Sequence, residues 1–366
     1  IDSLTGGSLV GSVTSFENFA ECPLRYYLRY GVDLKEREEF TFSPVNFGVV
    51  LHAVIREVCD EIKKNGESYY LISEEKRREM VKRSVAAITD IYQNSILKDS
   101  SRNSFMIKRM EDLADRTVWA MGEQLKCGDF VPFVFEHKFN MEVGDGDRKQ
   151  LMSGTIDRVD ICENGTDVYV RIIDYKTGKK DFNIVKTYYG IDIQLMVYME
   201  AAMKLVAKMR PGKNVIPAGV FYYNISDPIV SATTESAEEI EDKIKGELRL
   251  KGMVNSDKDI AEKMDNTEGT SLNIPVSRKA DGGFDSRRSK VMNTEQFNIL
   301  GRFVDVRAID TADRIAGGDI RRSPYKDGQF SSCDRCPYGA VCGFSVDLPG
   351  CNYRKLKKFD DEVLWN

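Results

Sequence analysis

The sequence lacks any apolar run that approaches the roughly 18 residues of a membrane span, and its N-terminus lacks a basic segment followed by an apolar core. It also lacks an excess of positive charge, because 53 lysines and arginines face 58 aspartates and glutamates, a net charge of -5. The first absence argues against a membrane or secreted protein, and the second against a protein whose whole surface is basic and coats polyanions. We therefore expect a cytoplasmic chain, in which any contact with nucleic acid must come from local basic patches.

A phosphate loop of the form G-x-x-x-x-G-K-[ST] is also missing, so we expect no ATP hydrolysis by this chain. A length of 366 residues allows one large domain or two ordinary ones. Ile1 stands where a methionine would begin a natural protein, and the first dozen residues are small and polar, which predicts a fragment of something longer. We expect a single domain over 1–366.

Eight cysteines are present, and four of them fall in the last 50 residues. A cytosolic chain uses thiols as metal ligands more readily than as disulfides. Cys333, Cys336 and Cys342 are spaced to bring three thiolates to one centre. For the fourth ligand, Cys351 would suit a tetrahedral zinc site and Cys22, in a Cys-Pro turn, would suit an iron-sulfur cluster, and spacing leaves both open. The cysteines expected to be core thiols are Cys59, Cys127 and Cys162.

Helical and strand-like patterns divide the chain into successive regions. Apolar spacings of three and four predict a helical region over 1–128, and three strands, a helix and a further strand predict a β-β-β-α-β core over 129–225. Residues 226–330 are polar and broken, which indicates a helical insertion and a basic loop, with helical period over 293–317. The cysteine cluster follows in 331–366. This order predicts an α/β fold with a mixed central sheet flanked by helices.

An acidic pair and a lysine lie in the strand-like segments. Asp157 lies in GTIDRVD at the end of one predicted strand, and Asp174 lies in IIDYKTG at the end of another, two positions before Lys176. Since side chains alternate along a strand, Asp174 and Lys176 project from the same face. The carboxylates suit Mg²⁺, and the ammonium suits the charge that develops on a phosphate during hydrolysis. Alternatively, Asp157 and Asp160 are turn acids, and Asp174 and Lys176 form an exposed ion pair.

The following helix and one histidine add candidates. Gln194 and Tyr198 lie four residues apart on one helix face, and a polar pair on an otherwise apolar helix favours a functional site. His52, one of only two histidines, lies on a predicted helix, where it either completes a metal site or serves the structure alone. The other histidine, His137, is expected to be structural, and Glu136 beside it is a weaker candidate.

Six segments follow one another in a specific order: SFENFAECPLRYYLRYGVDLKERE, GVVLHAVIREV, SGTIDRVD, IIDYKTG, QLMVYMEAAM and CDRCPYGAVCGF. From about residue 10 to residue 357 the chain thereby resembles the C-terminal nuclease domain of the AddB (RexB) component of bacterial helicase-nucleases, a RecB-like iron-sulfur member of the PD-(D/E)XK superfamily. The resemblance implies a restriction-endonuclease-like core with a helical N-terminal extension and a C-terminal iron-sulfur region.

The resemblance also implies roles for individual residues. The active-site residues that it implies are His52, Asp157 and Asp174 as ligands of Mg²⁺, Asp157, Asp174 and Lys176 as catalytic residues, and Gln194 with Tyr198 as the Q-x-x-x-Y motif. The ligands of a [4Fe-4S] cluster that it implies are Cys22, Cys333, Cys336 and Cys342. The implied function is cutting of the 5′-ended single strand during resection of DNA double-strand breaks for recombinational repair, with an AddA-type subunit as the motor.

Other classes of function stay open. A binding module would keep the cluster and recognise DNA or a partner without cleavage, and a four-cysteine zinc protein would leave the D-x-K motif incidental. A stand-alone iron-sulfur nuclease of the CRISPR-associated type shares the motifs but is shorter than this chain. The basic residues expected to guide a single strand are Arg287, Arg288, Lys290, Arg321 and Arg322.

Overall fold

A mixed β-sheet runs through the molecule. The computed structural model describes residues 10–35, 44–92, 101–143, 150–231 and 236–359, so most of the polar start of the chain lies outside the described residues. The strands of this sheet are β1 (Val10–Ser12), β2 (Val131–Val143), β3 (Gln150–Asn164), β4 (Asp167–Lys176), β5 (Asn214–Asn224), β6 (Lys251–Asn255) and β7 (Val291–Met292). A smaller sheet contains β8 (Tyr325–Asp327), β9 (Phe330–Ser331) and β10 (Arg354–Lys355).

Helices cover both faces of the main sheet, which confirms the expected α/β fold. They are α1 (Val13–Glu21), α2 (Pro23–Tyr26) with a π-helical turn (Tyr27–Gly31), α3 (Pro44–Lys64), α4 (Glu74–Tyr92), α5 (Ser101–Lys126), α6 (Ile184–Tyr188), α7 (Gln194–Met209), α8 (Ala237–Glu247), α9 (Lys258–Met264), α10 (Thr294–Ala316) and α11 (Gly339–Cys342). Local chemistry sets several ends. Ser12 caps α1 by accepting a hydrogen bond from the backbone N–H of Ser15, and Pro23 occupies the first position of α2.

The strand β3 organises the sheet. β2 pairs with it antiparallel along one side, while on the other side β1 pairs with its first residues and β4 with its last. β5 lies parallel to β4, and the connection between them contains α6 and α7, as a crossover between parallel strands requires. β6 then pairs antiparallel with β5, and β7 parallel with β6. β4 therefore lies in the interior of the sheet.

Two apolar cores lie on the two faces of the sheet. Alternation along β4 sends Ile173 and Tyr175 to the face covered by α3, α4 and α5, and Ile172 to the face covered by α1, α7 and α10. Asp174 and Lys176 continue the second face. The strand that carries the D-x-K motif is thus held between two layers of helices.

The sheet extends beyond the core predicted over 129–225. Sequence patterns indicated a helical insertion and a basic loop over 226–330, whereas the structure adds β6 and β7 to the sheet and buries Ile274 and Val276. These strands have only five and two residues, too few for an alternating pattern to emerge from the polar segments around them. The other boundaries of the predicted regions stay a prediction.

Gly252 sets how closely β6 approaches β5. A Cβ atom at this position would lie 1.9 Å from the carbonyl oxygen of Val220, which belongs to the paired backbone. We expect Gly252→Ala to lower the free energy of unfolding by about 2–3 kcal/mol, as measured by equilibrium denaturation in urea.

Gly301→Ala is the matched control for this substitution. Nothing lies within 4 Å of a Cβ atom added at Gly301 in α10, and alanine favours a helix over glycine by about 0.5–1 kcal/mol. The control should therefore be more stable than the wild-type chain. Equal stabilities for the two variants would contradict the prediction.

Candidate active site

Two aspartates meet where β3 and β4 pair. Arg158 is the partner of Ile173 in this antiparallel ladder, so the next residues, Asp157 and Asp174, come opposite each other. Both are buried, with 7% and 2% of their surface exposed. The Oδ2 atom of Asp157 accepts a hydrogen bond of 2.6 Å from the backbone N–H of Tyr175, which fixes this carboxylate. The prediction that Asp157 ends a strand, or sits in a turn, is wrong, because β3 continues well beyond it.

Lys176 forms an ion pair with Asp174 on the face of β4 that alternation predicted. The alternative of a wholly exposed pair is wrong, because Asp174 is buried and its lysine partner is only partly exposed. The pKa of Asp174 is raised to about 6, first by burial and then by the negative charge of Asp157, while Lys176 opposes the rise. Because the two acids are close together, Asp174 ionises less readily than an ordinary aspartate.

A histidine and a glutamate complete a group of possible metal ligands. One ligand atom from each of His52, Glu136 and Asp157 lies within 4.8 Å of the others. The Nδ1 atom of His52 lies 3.4 Å from Oδ1 of Asp157 and 3.6 Å from Oε1 of Glu136. These two carboxylates and the imidazole fit a divalent ion such as Mg²⁺, whereas the predicted ligand Asp174, on the neighbouring strand, lies outside this group.

Glu136 reaches this group through a strained backbone. Its φ of 47° lies in the left-handed region, which costs about 1–3 kcal/mol for a residue other than glycine. Strain of this kind is typical of functional sites, and here it accompanies a carboxylate placed beside Asp157 and His52. The sequence made Glu136 only a weaker candidate, because no motif marks a left-handed residue inside a strand.

An open cleft gives access to these groups. Its lining includes His52, Glu136 and Lys176, together with Arg56 and Thr177. Arg56 lies one helical turn after His52 on α3, and sequence analysis did not single it out. The spacing of four residues on a helix was the available signal.

Gln194 and Tyr198 share a face of α7, as the sequence predicted. The Nε2 atom of Gln194 donates a hydrogen bond of 2.9 Å to the hydroxyl of Tyr198. Burial raises the pKa of Tyr198, and the negative charge of Asp174 raises it further. The ring packs edge-on against Phe139, with 5.6 Å between centroids. The two residues therefore form a fixed polar pair on α7.

Four cysteines line one small cavity of about 20 Å³, although they come from opposite ends of the chain. They are Cys22, Cys333, Cys336 and Cys342. Cys22 lies at the break between α1 and α2, where it ends one helix and begins the next. Burial raises the pKa of the Cys333 thiol, and the charges of the neighbouring thiols raise it further, which reflects their proximity. Cys351 is buried but does not line this cavity.

The other singled-out residues take different places. Cys59 and Cys162 are buried, as expected for core thiols, and Cys127 is partly exposed. Of the basic residues, Arg322 donates to the carbonyl oxygen of Cys342 at 3.4 Å. The rest are in ion pairs or exposed: Lys290 with Asp181, Arg321 with Asp319, and Arg287 and Arg288 on the surface.

A central mixed sheet with paired aspartates and a lysine on adjoining strands defines the metal-dependent nucleases as the class of protein. A family model described as the PD-(D/E)XK nuclease superfamily matches residues 11–343, and the chain belongs to this superfamily. This membership confirms the enzyme class expected from the sequence.

The chain is also similar to curated proteins named as ATP-dependent helicase/deoxyribonuclease subunits of the B type. The chain is 35% identical to the subunit of Clostridium acetobutylicum, and the alignment covers 99% of the chain. It is 34% identical to the subunits of Lachnoclostridium phytofermentans and Caldanaerobacter subterraneus subsp. tengcongensis, with 99% and 100% of the chain covered. It spans about a third of each relative, 32% of their length. These relatives confirm the resemblance to the AddB (RexB) type.

Within the described residues, no helix combines the length and the apolar character needed to cross a membrane.

The pKa values of the two histidines should depart from the ordinary value in opposite directions. Burial lowers the pKa of His52, but hydrogen bonding with Asp157 and Glu136 and their charges outweigh it and raise the pKa to about 10. Burial lowers the pKa of His137. In the metal-free chain we therefore expect His52 to remain protonated at about pH 8, where His137 is neutral, as measured by ¹⁵N NMR of the imidazole rings.

Asp157→Asn provides the control for this titration. It removes one of the two negative charges that hold the proton on His52, so the pKa of His52 should fall while that of His137 stays where it was. A wild-type His52 that loses its proton near the ordinary value of 6.5 would contradict the assigned contacts.

Proposed function

We propose that this chain is one iron-sulfur nuclease domain over 1–366 that hydrolyses DNA phosphodiester bonds with Mg²⁺. The observation that carries the proposal is the pair of buried aspartates, Asp157 and Asp174, with Lys176 in ion contact beside them. Isolated charges are costly to bury, so acids held this close together need a function or a cation to account for them. Phosphodiester hydrolysis uses both acids and lysine.

The chain's own residues suit each part of that reaction. His52, Asp157 and Asp174 would hold the metal ion. His52 and Asp157 lie within 4.8 Å of each other and of a further donor, Glu136, and Asp174 would add its carboxylate from the neighbouring strand. When bound, the ion supplies polarisation of the scissile phosphate and of a water molecule. The partly exposed Lys176 Nζ is placed to donate to the oxygen that gains negative charge as a water oxygen bonds to phosphorus and the bond to the leaving oxygen breaks.

Gln194 and Tyr198 act by orientation. Because the Tyr198 oxygen accepts from Gln194 Nε2, its own O–H is free to point toward the acids or the bound strand. The edge contact with Phe139 keeps the ring from swinging away. The pair thereby fixes a donor on α7.

The substrate and partner follow from the relatives rather than from the cleft. Because the similar proteins are named as subunits of a helicase/deoxyribonuclease, we propose DNA as substrate and an AddA-type subunit as partner. The fuller proposal is a cytoplasmic exonuclease that cuts the 5′-ended single strand during resection for recombinational repair. Arg56 in the cleft and Arg322 beside the cysteines are candidate contacts with the strand's phosphates.

We also propose a [4Fe-4S] cluster on Cys22, Cys333, Cys336 and Cys342, which line the same cavity. A tetrahedral zinc ion, with bonds of about 2.3 Å to sulfur, needs sulfurs only about 3.8 Å apart. Among the described residues, the group of three possible ligands within 4.8 Å is the one around His52, and no three of these thiols form such a group. Their wider spacing supports a cluster of several irons over a single ion.

Removal of the Asp157 carboxylate or of the Lys176 ammonium should abolish cutting without abolishing binding. With a 5′-labelled single-stranded DNA and Mg²⁺, we expect Asp157→Ala and Lys176→Ala each to reduce the cleavage rate by about 100-fold or more. The first removes a ligand of the metal ion, and the second removes the cation that stabilises the developing negative charge. DNA binding, followed by fluorescence anisotropy, should change little.

Lys179→Ala is the matched control, since Lys179 is an exposed lysine three positions from Lys176 and should leave the rate within about twofold. A wild-type chain that binds the strand but does not cut it with Mg²⁺ would favour the binding module instead. Full activity in Asp157→Ala would exclude Asp157 from the mechanism and contradict the proposed site.

The cysteine centre makes a separate prediction. After anaerobic purification we expect about four irons and matching sulfide per chain, lost in Cys22→Ala because one ligand is missing. Thermal unfolding of Cys22→Ala should occur at a lower temperature, since the cluster joins residues from both ends of the chain.

Cys351→Ala is the matched control, because this buried cysteine lies outside the cavity and its loss should leave the iron in place. A colourless wild-type protein that holds one zinc, and loses it in Cys351→Ala, would refute the cluster.

A further inference from the structure

The helix α7, which carries Gln194 and Tyr198, begins without a cap of its own. The first N–H groups of a helix have no acceptors inside it, and a polar residue at the N-cap position usually supplies one. Here that position holds the apolar Ile193, which makes no capping bond. The acceptor comes instead from α1: Oε1 of Glu17 takes hydrogen bonds from the N–H groups of Ile193 at 2.9 Å and Gln194 at 3.0 Å.

The nearest acid in the sequence is engaged elsewhere. Asp192 lies two positions before Gln194, but its Oδ1 atom lies 3.0 Å from the ammonium of Lys180 and accepts a 2.6 Å hydrogen bond from the hydroxyl of Tyr222. Within the described part of the chain, Glu17 is thus the side chain that caps α7.

Glu17 is held firmly enough to act as a fixed point. Its neighbours on α1, Phe16 and Phe19, are both buried with 1% exposure in the core that α1 shares with α7. Burial raises the pKa of Glu17 to about 7, although the charge of Lys180 opposes the rise. A protonated carboxyl group keeps an oxygen that accepts from the two N–H groups, so the cap does not depend on the charge of Glu17.

The start of α7 decides where its polar pair lies. Gln194 is the first residue of the helix, and its side chain donates a hydrogen bond to the hydroxyl of Tyr198. Groups that take part in catalysis need to be held within about 0.5 Å of their productive positions. A loosened first turn would displace both Gln194 and Tyr198. The same helix α1 ends at Cys22. One carboxylate therefore connects the helix of the cysteine centre with the helix of the nuclease site.

We infer that Glu17 is a positioning residue of the nuclease site, which fixes the first turn of α7 and thereby Gln194 and Tyr198. The inference rests on the proposed nuclease function. It assigns Glu17 no contact with DNA or metal. Its substitution should accordingly lower kcat through Gln194 while leaving KM and the cysteine centre in place.

The test is a double-mutant cycle in the complete 366-residue chain, purified anaerobically and assayed with Mg²⁺ on single-stranded DNA. We expect Glu17→Ala to lower kcat by about tenfold or more with KM within about twofold, because positioning is lost and binding is not. In the Gln194→Ala background, Glu17→Ala should add less than about twofold, because Glu17 acts through that residue. Thr14→Ala, an exposed position on α1, controls for substitution in this helix.

Glu17→Gln separates the cap from a general structural role. Its amide oxygen still accepts from the two N–H groups, so the loss in kcat should be less than about fivefold. Amide hydrogen exchange reads the cap without an assay: protection of Ile193 and Gln194 should fall in Glu17→Ala and persist in Glu17→Gln. Iron per chain should stay unchanged in both.

Several outcomes would overturn the inference. Additive losses in the double mutant, equal losses in Glu17→Gln and Glu17→Ala, or a loss of iron in Glu17→Ala would each make Glu17 a structural residue with no specific link to Gln194. A wild-type chain that does not cut DNA would instead refute the proposed nuclease function. Cleavage by the wild type therefore distinguishes the two failures.

Discussion

The antiparallel register of β3 and β4 is the constraint on which the candidate active site depends. It places Asp157 opposite Asp174, and a slip of one residue would turn one acid to the other face of the sheet. Two apolar cores hold that register, because each strand buries residues on both of its faces. The cost is visible in the raised pKa of Asp174, which Lys176 offsets only in part.

Strain and buried charge concentrate around that register. Glu136 adopts a left-handed backbone and His52 holds its imidazole against two carboxylates. The left-handed backbone raises the free energy of the folded chain, whereas the two carboxylates stabilise the protonated form of His52. A bound cation would relieve the repulsion among the acids. The site is therefore best understood as a region in which stability is given up for chemistry.

The two ends of the chain meet around α1. β1 pairs with β3 at the start of the described chain, and near its end the guanidinium of Arg354 donates to the carbonyl oxygen of Glu21 at 3.0 Å, next to Cys22. The same helix contacts α7 through Glu17. The cysteine cavity and the polar pair of α7 consequently share one structural element.

The sequence by itself determined the features that follow from local periodicity. A period of two put Asp174 and Lys176 on one face, and a spacing of four put Gln194 above Tyr198, because backbone geometry alone fixes these relations. The same rules predicted most helices and strands. They failed for β6 and β7, which are too short to show a period.

Only the tertiary structure decided which distant groups meet. It brought Glu136 to His52, chose Cys22 over Cys351 for the cavity, and gave α7 a cap from α1. These contacts join residues that lie far apart in the chain, and their partners are set by strand register and helix packing. No local pattern records them, because the physical interaction that creates each one exists only after the sheet has formed.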